Sequence, residues 1–139
     1  PTGVVAAFAP QKSALVGLVN TIAPIIVTGN TVVVIASESL PLSAITLTEV
    51  LATSDLPGGV VNVLTGKEKD LAPWLASHQD VNAVDLEGTS DPMDLEIRAA
   101  ETLKRVVRPG AFGRLGSKGS LHQILAFMEV KTVWHPKGH

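Results

Sequence analysis

Apolar residues in this chain fall into short unbroken runs separated by stretches of helical spacing. Gly3 to Phe8 is nearly continuous in apolar character, the pattern of a strand covered on both faces. Ser13 is placed to cap a helix in which Leu15, Leu18, Val19, Ile22, Ile25 and Ile26 recur on one face. Pro24 predicts a bend in that helix, and Gly29-Asn30 predicts its end. Thr31 to Ile35 is β-branched and apolar, and reads as a second buried strand. Pro41 can begin a helix carrying Leu42, Ile45, Leu47, Val50 and Leu51. After the turn at Pro57-Gly58-Gly59, Val60 to Leu64 is a third strand. A short helix around Leu71 to Ala76 leads to a fourth strand, Val81 to Leu86. Asp91-Pro92 then supplies a cap and a first-turn proline for a helix running to about Val107, with Leu95, Ala99, Leu103 and Val106 on a shared face.

Repeated alternation of strand and helix predicts an α/β fold: an open, mainly parallel twisted sheet with helices on both faces. Residues 1–107 form the main unit in this reading. Residues 108–120, with Gly110, Gly113, Gly116 and Gly119 among Arg108, Arg114 and Lys118, read as a glycine-rich basic loop. Residues 121–139 are expected to complete the same domain, with a helix over Leu121 to Phe127 and a closing strand over Val130 to Trp134.

At 139 residues the chain can bury one sizeable core, and 45% hydrophobic against 17% charged residues suits buried strands. A net charge of −2 gives no general attraction to nucleic acid. Asn20, Pro24 and Gly29 interrupt the best candidate for a membrane span, and the start lacks the pattern of a secretory signal. A cytoplasmic location without membrane contact is therefore expected. The sequence starts at Pro1 rather than at a methionine, which leaves room for upstream residues that complete a site. Its 139 residues contain no cysteine, so disulfides, thiolate metal sites and cysteine nucleophiles are excluded within them.

Several segments carry a family pattern: Pro1-Thr2-Gly3-Val4-Val5, Ala23-Pro24, Gly29-Asn30-Thr31-Val32-Val33-Val34, Ser37-Glu38, Leu56 through Gly66 and Asp80 through Thr89. In order and spacing they resemble the Rossmann-like nucleotide-binding domain of the aldehyde dehydrogenase superfamily, over about Pro1 to Thr89. The resemblance implies NAD or NADP as cofactor. It also implies aldehyde oxidation through a cysteine thiolate and a glutamate base, in a catalytic domain beyond Thr89. Neither that domain nor a cysteine is present here, so the resemblance implies a domain that is catalytically incomplete as a single chain.

In open parallel sheets ligands bind beyond the carboxyl ends of the strands. The cofactor-binding residues implied are Pro10, Ser37, Glu38, Gly66, Gly88 and Thr89. In the first loop Lys12 stands where the family has an oxyanion-donating asparagine; a lysine can stabilise negative charge, or simply be solvated ahead of a helix. In the second, Ser37 and Glu38 are kept but Ile35 replaces a lysine that holds the ribose. Glu38 either accepts from ribose hydroxyls, which weakly favours NAD because a carboxylate repels a 2′-phosphate, or faces solvent. In the third, Gly66 is followed by the charged run Lys67-Glu68-Lys69-Asp70, which reads as a solvated turn and lacks the spacing of a phosphate loop. In the fourth, Gly88 and Thr89 keep the chemistry of a diphosphate-holding helix start, while Glu87 and Asp91 oppose an anion. Asp91 doubles as a helix cap.

Other constellations are weaker. Of His78, His122, His135 and His139, only the last two have a spacing of four, and Pro136 and Gly138 argue against one helix holding both, so no metal is expected. Ser117 and Ser120 near His122 lack a nucleophile elbow. Arg105, Arg108, Arg114 and Lys118 either clasp an anion or sit on a mobile surface loop. Trp74 and Trp134 read as packing or interface residues. Two functions are thus expected: a dinucleotide-binding domain that needs another chain for chemistry, or a pseudo-enzyme module that docks a partner. That partner would be a second copy or a full-length aldehyde dehydrogenase.

Overall fold

The computed structural model describes residues 1–111 and 121–137. Val5, Ala6, Ala7 and Phe8 are each no more than 1% exposed, which puts the first apolar run at the centre of a sheet. Five strands build it: β1 (Val4–Phe8), β2 (Thr31–Ile35), β3 (Val61–Leu64), β4 (Ala83–Asp85) and β5 (Arg105–Val107). Their order is β3-β2-β1-β4-β5, and every pairing is parallel. Val5 lies opposite Val32 on one side and Ala83 on the other.

Five helices connect and cover the strands: α1 (Leu15–Ile26), α2 (Leu42–Ala52), α3 (Glu68–Ser77), α4 (Pro92–Ala100) and α5 (Leu121–Leu125). Because side chains alternate across a strand, the core divides into two layers. Val5, Ala7, Val32, Val34 and Ala83 meet α1, α2 and Phe127; Ala6, Phe8, Ile35, Val84 and Leu86 meet α3 and α4. The N-cap of α1 is Ala14, which makes no side-chain cap bond; the Ser13 hydroxyl, one residue earlier, accepts from the Gly17 amide at 2.9 Å, and α1 continues through Pro24. Asp91 caps α4 by accepting from the Asp94 amide at 3.4 Å, with Pro92 in the first turn.

The chain runs outward from β1 to β3 and then returns to add β4 and β5 on the other side. Connections diverge between β1 and β4, the switch point at which sheets of this kind form a crevice. Gly88 shows how tightly those two strand ends meet. A Cβ placed there would overlap the Phe8 carbonyl oxygen and stand 2.7 Å from its carbon, so no other residue fits without separating the strands.

Three expectations need correction after Thr89. Helix α4 stops at Ala100 instead of reaching Val107. Leu103 adopts a left-handed backbone (φ 54°) and is 92% exposed, which ends the helical face. Arg105–Val107 pairs with β4 as a fifth strand, because the open edge of β4 offers a ladder to a β-branched segment. The third correction is at the C-terminus, where Val130 to Trp134 forms no strand and is exposed throughout. A strand needs a ladder partner, and no described strand pairs with this segment. The expected loop residues Gly113, Arg114, Gly116, Ser117, Lys118, Gly119 and Ser120 lie outside the described residues, as does His139.

What anchors the C-terminal segment is Phe127, 1% exposed in the α1 layer. Its carbonyl accepts from the Thr2 amide at 3.1 Å and from the Asn30 side chain at 2.9 Å. Arg105 donates to the carbonyls of Ala126 (3.1 Å) and Met128 (2.8 Å), and pairs with Glu129 at 2.7 Å. This clamp sits at the amino ends of the strands, opposite the crevice.

Candidate functional site

Four loops converge at the carboxyl ends of β1 to β4, and a network of polar side chains joins them. Gln11, in the loop after β1, contacts two others. Its side-chain oxygen accepts from the Glu38 amide at 2.9 Å, and its side-chain amide donates to the Glu68 carboxylate at 3.5 Å. Ser37, only 3% exposed, donates to the Gln11 carbonyl at 3.1 Å and accepts from the Leu40 amide at 3.2 Å. Its hydroxyl therefore shapes the loop after β2. Pro10 is half-buried against α1, where a Cβ on Gly17 would approach its ring at 3.2 Å.

Glu38 is exposed, yet its carboxylate is engaged: it accepts from the backbone amide of Glu68, at the first residue of α3. A carboxylate at a helix start is favoured by the unsatisfied amides there. Gly66 makes the preceding turn with φ 151°, a backbone that side chains rarely adopt. Of the charged run that follows, Lys67, Lys69 and Asp70 face solvent as the sequence suggests, but Glu68 does not. It is 6% exposed and points across the strand ends.

There the Glu68 carboxylate accepts from the Thr89 hydroxyl, from the Ser90 amide at 2.9 Å and from the Ser90 hydroxyl at 3.2 Å. These are the donors at the start of the α4 region, beside Gly88. Gln11 and Ser90 are the members of this cluster that sequence reasoning passed over, and Glu68 is the one it read as solvated. An acidic residue opening a helix is a visible signal, but its direction depends on the position of α3 against α4.

Asp85 and Glu87 border the same end of β4. Asp85 is 7% exposed, and burial pushes its carboxyl up to about 6, partly opposed by the Glu87 amide donating at 3.0 Å. Glu87 accepts from the Gly110 amide at 2.7 Å. Lys12 is exposed. Arg105 and Arg108 are committed elsewhere, Arg105 to the C-terminal clamp and Arg108 to Glu96, so of the two readings the anion clasp is not assembled from them. Among the described residues no cluster of three potential metal ligands occurs, and no helix is long and apolar enough to cross a membrane.

The model of the aldehyde dehydrogenase family matches residues 1–108. The chain belongs to the aldehyde dehydrogenase family. It is 36% identical over 121 residues to 2-hydroxymuconic semialdehyde dehydrogenase of Pseudomonas sp. strain CF600, covering 86% of this chain and 24% of that enzyme. It is 38% identical to phenylacetaldehyde dehydrogenase of Pseudomonas fluorescens, covering 66% of this chain and 18% of that enzyme. Among solved structures, an aldehyde dehydrogenase from Bartonella henselae superimposes with a TM-score of 0.70 at 31% identity, over 76% of this chain and 22% of that one. A mutant aldehyde dehydrogenase C from Pseudomonas syringae, solved with NAD+ and octanal, gives a TM-score of 0.69 at 31% identity, covering 76% of this chain and 22% of that one. The chain thus spans about a quarter or less of the length of these relatives, and has the parallel Rossmann-like fold of the family's nucleotide-binding domain.

The positions that the family pattern gives to a dinucleotide are either changed or already bonded within the chain. Ile35 is 1% exposed and apolar where the family pattern has a lysine. The Glu38 carboxylate already holds the α3 amide. The anion donors of Thr89 and Ser90 already hold a carboxylate.

Proposed function

We propose that this chain is an aldehyde dehydrogenase-family domain that is catalytically incomplete by itself and acts as a docking module for a partner, of which a full-length aldehyde dehydrogenase is the leading candidate. The observation that carries this reading is the closed polar network at the strand ends, where Glu38 holds the first amide of α3 and Glu68 holds the Thr89 and Ser90 donors. Absence of any cysteine among the 139 residues supports it, since none of them can supply a thiolate. The experiment is an absorbance assay for NADH or NADPH formation with the purified chain and aliphatic and aromatic aldehydes. No turnover is expected; reproducible aldehyde oxidation overturns the reading. Mixing the chain with a full-length dehydrogenase and following sedimentation then tests the docking part, and independent sedimentation counts against that partner.

A second reading is that the domain binds NAD or NADP, NAD by weak preference, and relies on another chain for chemistry. Gly88 and Thr89, which match the family pattern at the end of β4, favour it; Gly88 packs against the Phe8 carbonyl and the Thr89 hydroxyl faces the strand ends. Saturable binding of either dinucleotide to the unmodified chain would move this reading ahead of the first.

A further inference from the structure

We infer that Glu68 is a built-in anion that occupies the diphosphate position of this domain, and that this single side chain decides whether the domain accepts a phosphate ligand. The inference rests on the family reading of the strand ends, but not on the docking role. The start of the α4 region presents a hydroxyl from Thr89, an amide from Ser90 and a hydroxyl from Ser90, converging on one point beside the glycine that lets the backbone come close. Converging donors of this kind are what an anion requires. All three are aimed at one Glu68 oxygen, while the other oxygen faces the Gln11 side-chain amide.

Two features distinguish this from an ordinary surface contact. Glu68 is 6% exposed, so its carboxylate has given up most of its water and depends on these donors. Its own backbone amide is held by Glu38, which pins the first residue of α3 and aims the side chain. A tethered carboxylate competes with a free phosphate at an effective concentration of about millimolar or higher, so a diphosphate must first displace it. Glu87 and Asp91 add negative charge around the same loop, and each raises the cost of a second anion.

The test is calorimetric titration with inorganic pyrophosphate and with NAD, on the wild-type chain and on Glu68→Ala and Glu68→Gln. Wild type is expected to show no saturation up to about millimolar ligand, and Glu68→Ala to bind at least about tenfold more tightly. Glu68→Gln keeps the shape but loses the charge, and should fall between them. Far-UV dichroism and the thermal midpoint establish that each variant is folded. A folded Glu68→Ala that binds no better than wild type overturns the inference, and so does saturable pyrophosphate binding by wild type. If Glu68→Ala does not fold, the wild-type Ser90 amide resonance decides. It should stay fixed during pyrophosphate titration, and a saturable shift overturns the inference. These outcomes are separate from the activity assay, because aldehyde oxidation by wild type would reject the docking reading without touching the Glu68 comparison.

Discussion

Replacing Asn30 with alanine removes four hydrogen bonds from the amino-terminal end of the sheet at once. The Asn30 side-chain oxygen accepts from the Gly3 amide at 2.8 Å. Its amide group donates to the carbonyls of Ile25 (3.0 Å) and Phe127 (2.9 Å) and to the Thr28 hydroxyl (2.7 Å). One residue that is 2% exposed therefore ties together the start of β1, the end of α1 and the C-terminal segment. Not every partner is orphaned by the change. Ile25 keeps the Thr28 hydroxyl and Phe127 keeps the Thr2 amide, whereas the Gly3 amide loses the acceptor described for it. With about 1 kcal/mol net per bond and a further penalty for the stranded amide, the expected loss is about 3–5 kcal/mol. In urea, at a slope of about 2 kcal/mol/M, the midpoint should fall by about 2 M. Dichroism and tryptophan fluorescence followed together would show whether the transition stays cooperative. Asn30→Asp makes the reasoning sharper: the carboxylate can still accept from Gly3, but it turns a negative oxygen towards two carbonyls that expect a donor. It should be no more stable than Asn30→Ala. An aspartate variant within about 1 kcal/mol of wild type would refute the donor role and the clamp built on it.

Further outcomes follow from the same contacts. Gly88→Ala should destabilise by about 3 kcal/mol or more, because its Cβ meets the Phe8 carbonyl group and the strand ends must separate; an unchanged thermal midpoint would contradict the close approach. Asp85→Asn should change the pH dependence of stability. With its carboxyl raised to about 6 in the fold against an ordinary 3.8, the proton is held more tightly when folded, so Asp85's contribution is full below about pH 4 and is lost as pH rises through 6. The variant's stability relative to wild type should therefore improve by about 2 kcal/mol between pH 4 and pH 8, and a pH-independent difference in urea midpoints would reject this. Arg105→Met should cost about 1–2 kcal/mol and speed amide exchange over residues 121–130, since it releases Thr2, Ala126 and Met128 as well as Glu129. Glu129→Ala alone removes only a half-exposed ion pair and should cost under about 1 kcal/mol.

Hydrophobic periodicity by itself determined the alternation of strand and helix through β4, because a doubly covered strand must be apolar on both faces and a covering helix on one. The same local logic placed Ser13 and Asp91 beside their helix starts, since such a side chain bonds within a few residues of itself. It misjudged the stretch from Leu103 to Val107, whose β-branched residues suit a strand but become one only where β4 leaves an open edge. Topology pointed to the loops at the strand ends, which share one rim in a parallel sheet, and the family resemblance then marked Ser37, Glu38, Gly88 and Thr89 within them. What the sequence left undecided was which of those groups bond to one another. Glu68 meets Thr89 across 21 residues and Asn30 meets Phe127 across 97. Such pairings depend on where the sheet sets α3 against α4 and where the C-terminal segment returns beneath it. A carboxylate in a charged run looks solvated until the neighbouring helix start supplies its donors. Only the tertiary structure therefore decided that Glu68 turns inward and closes the rim.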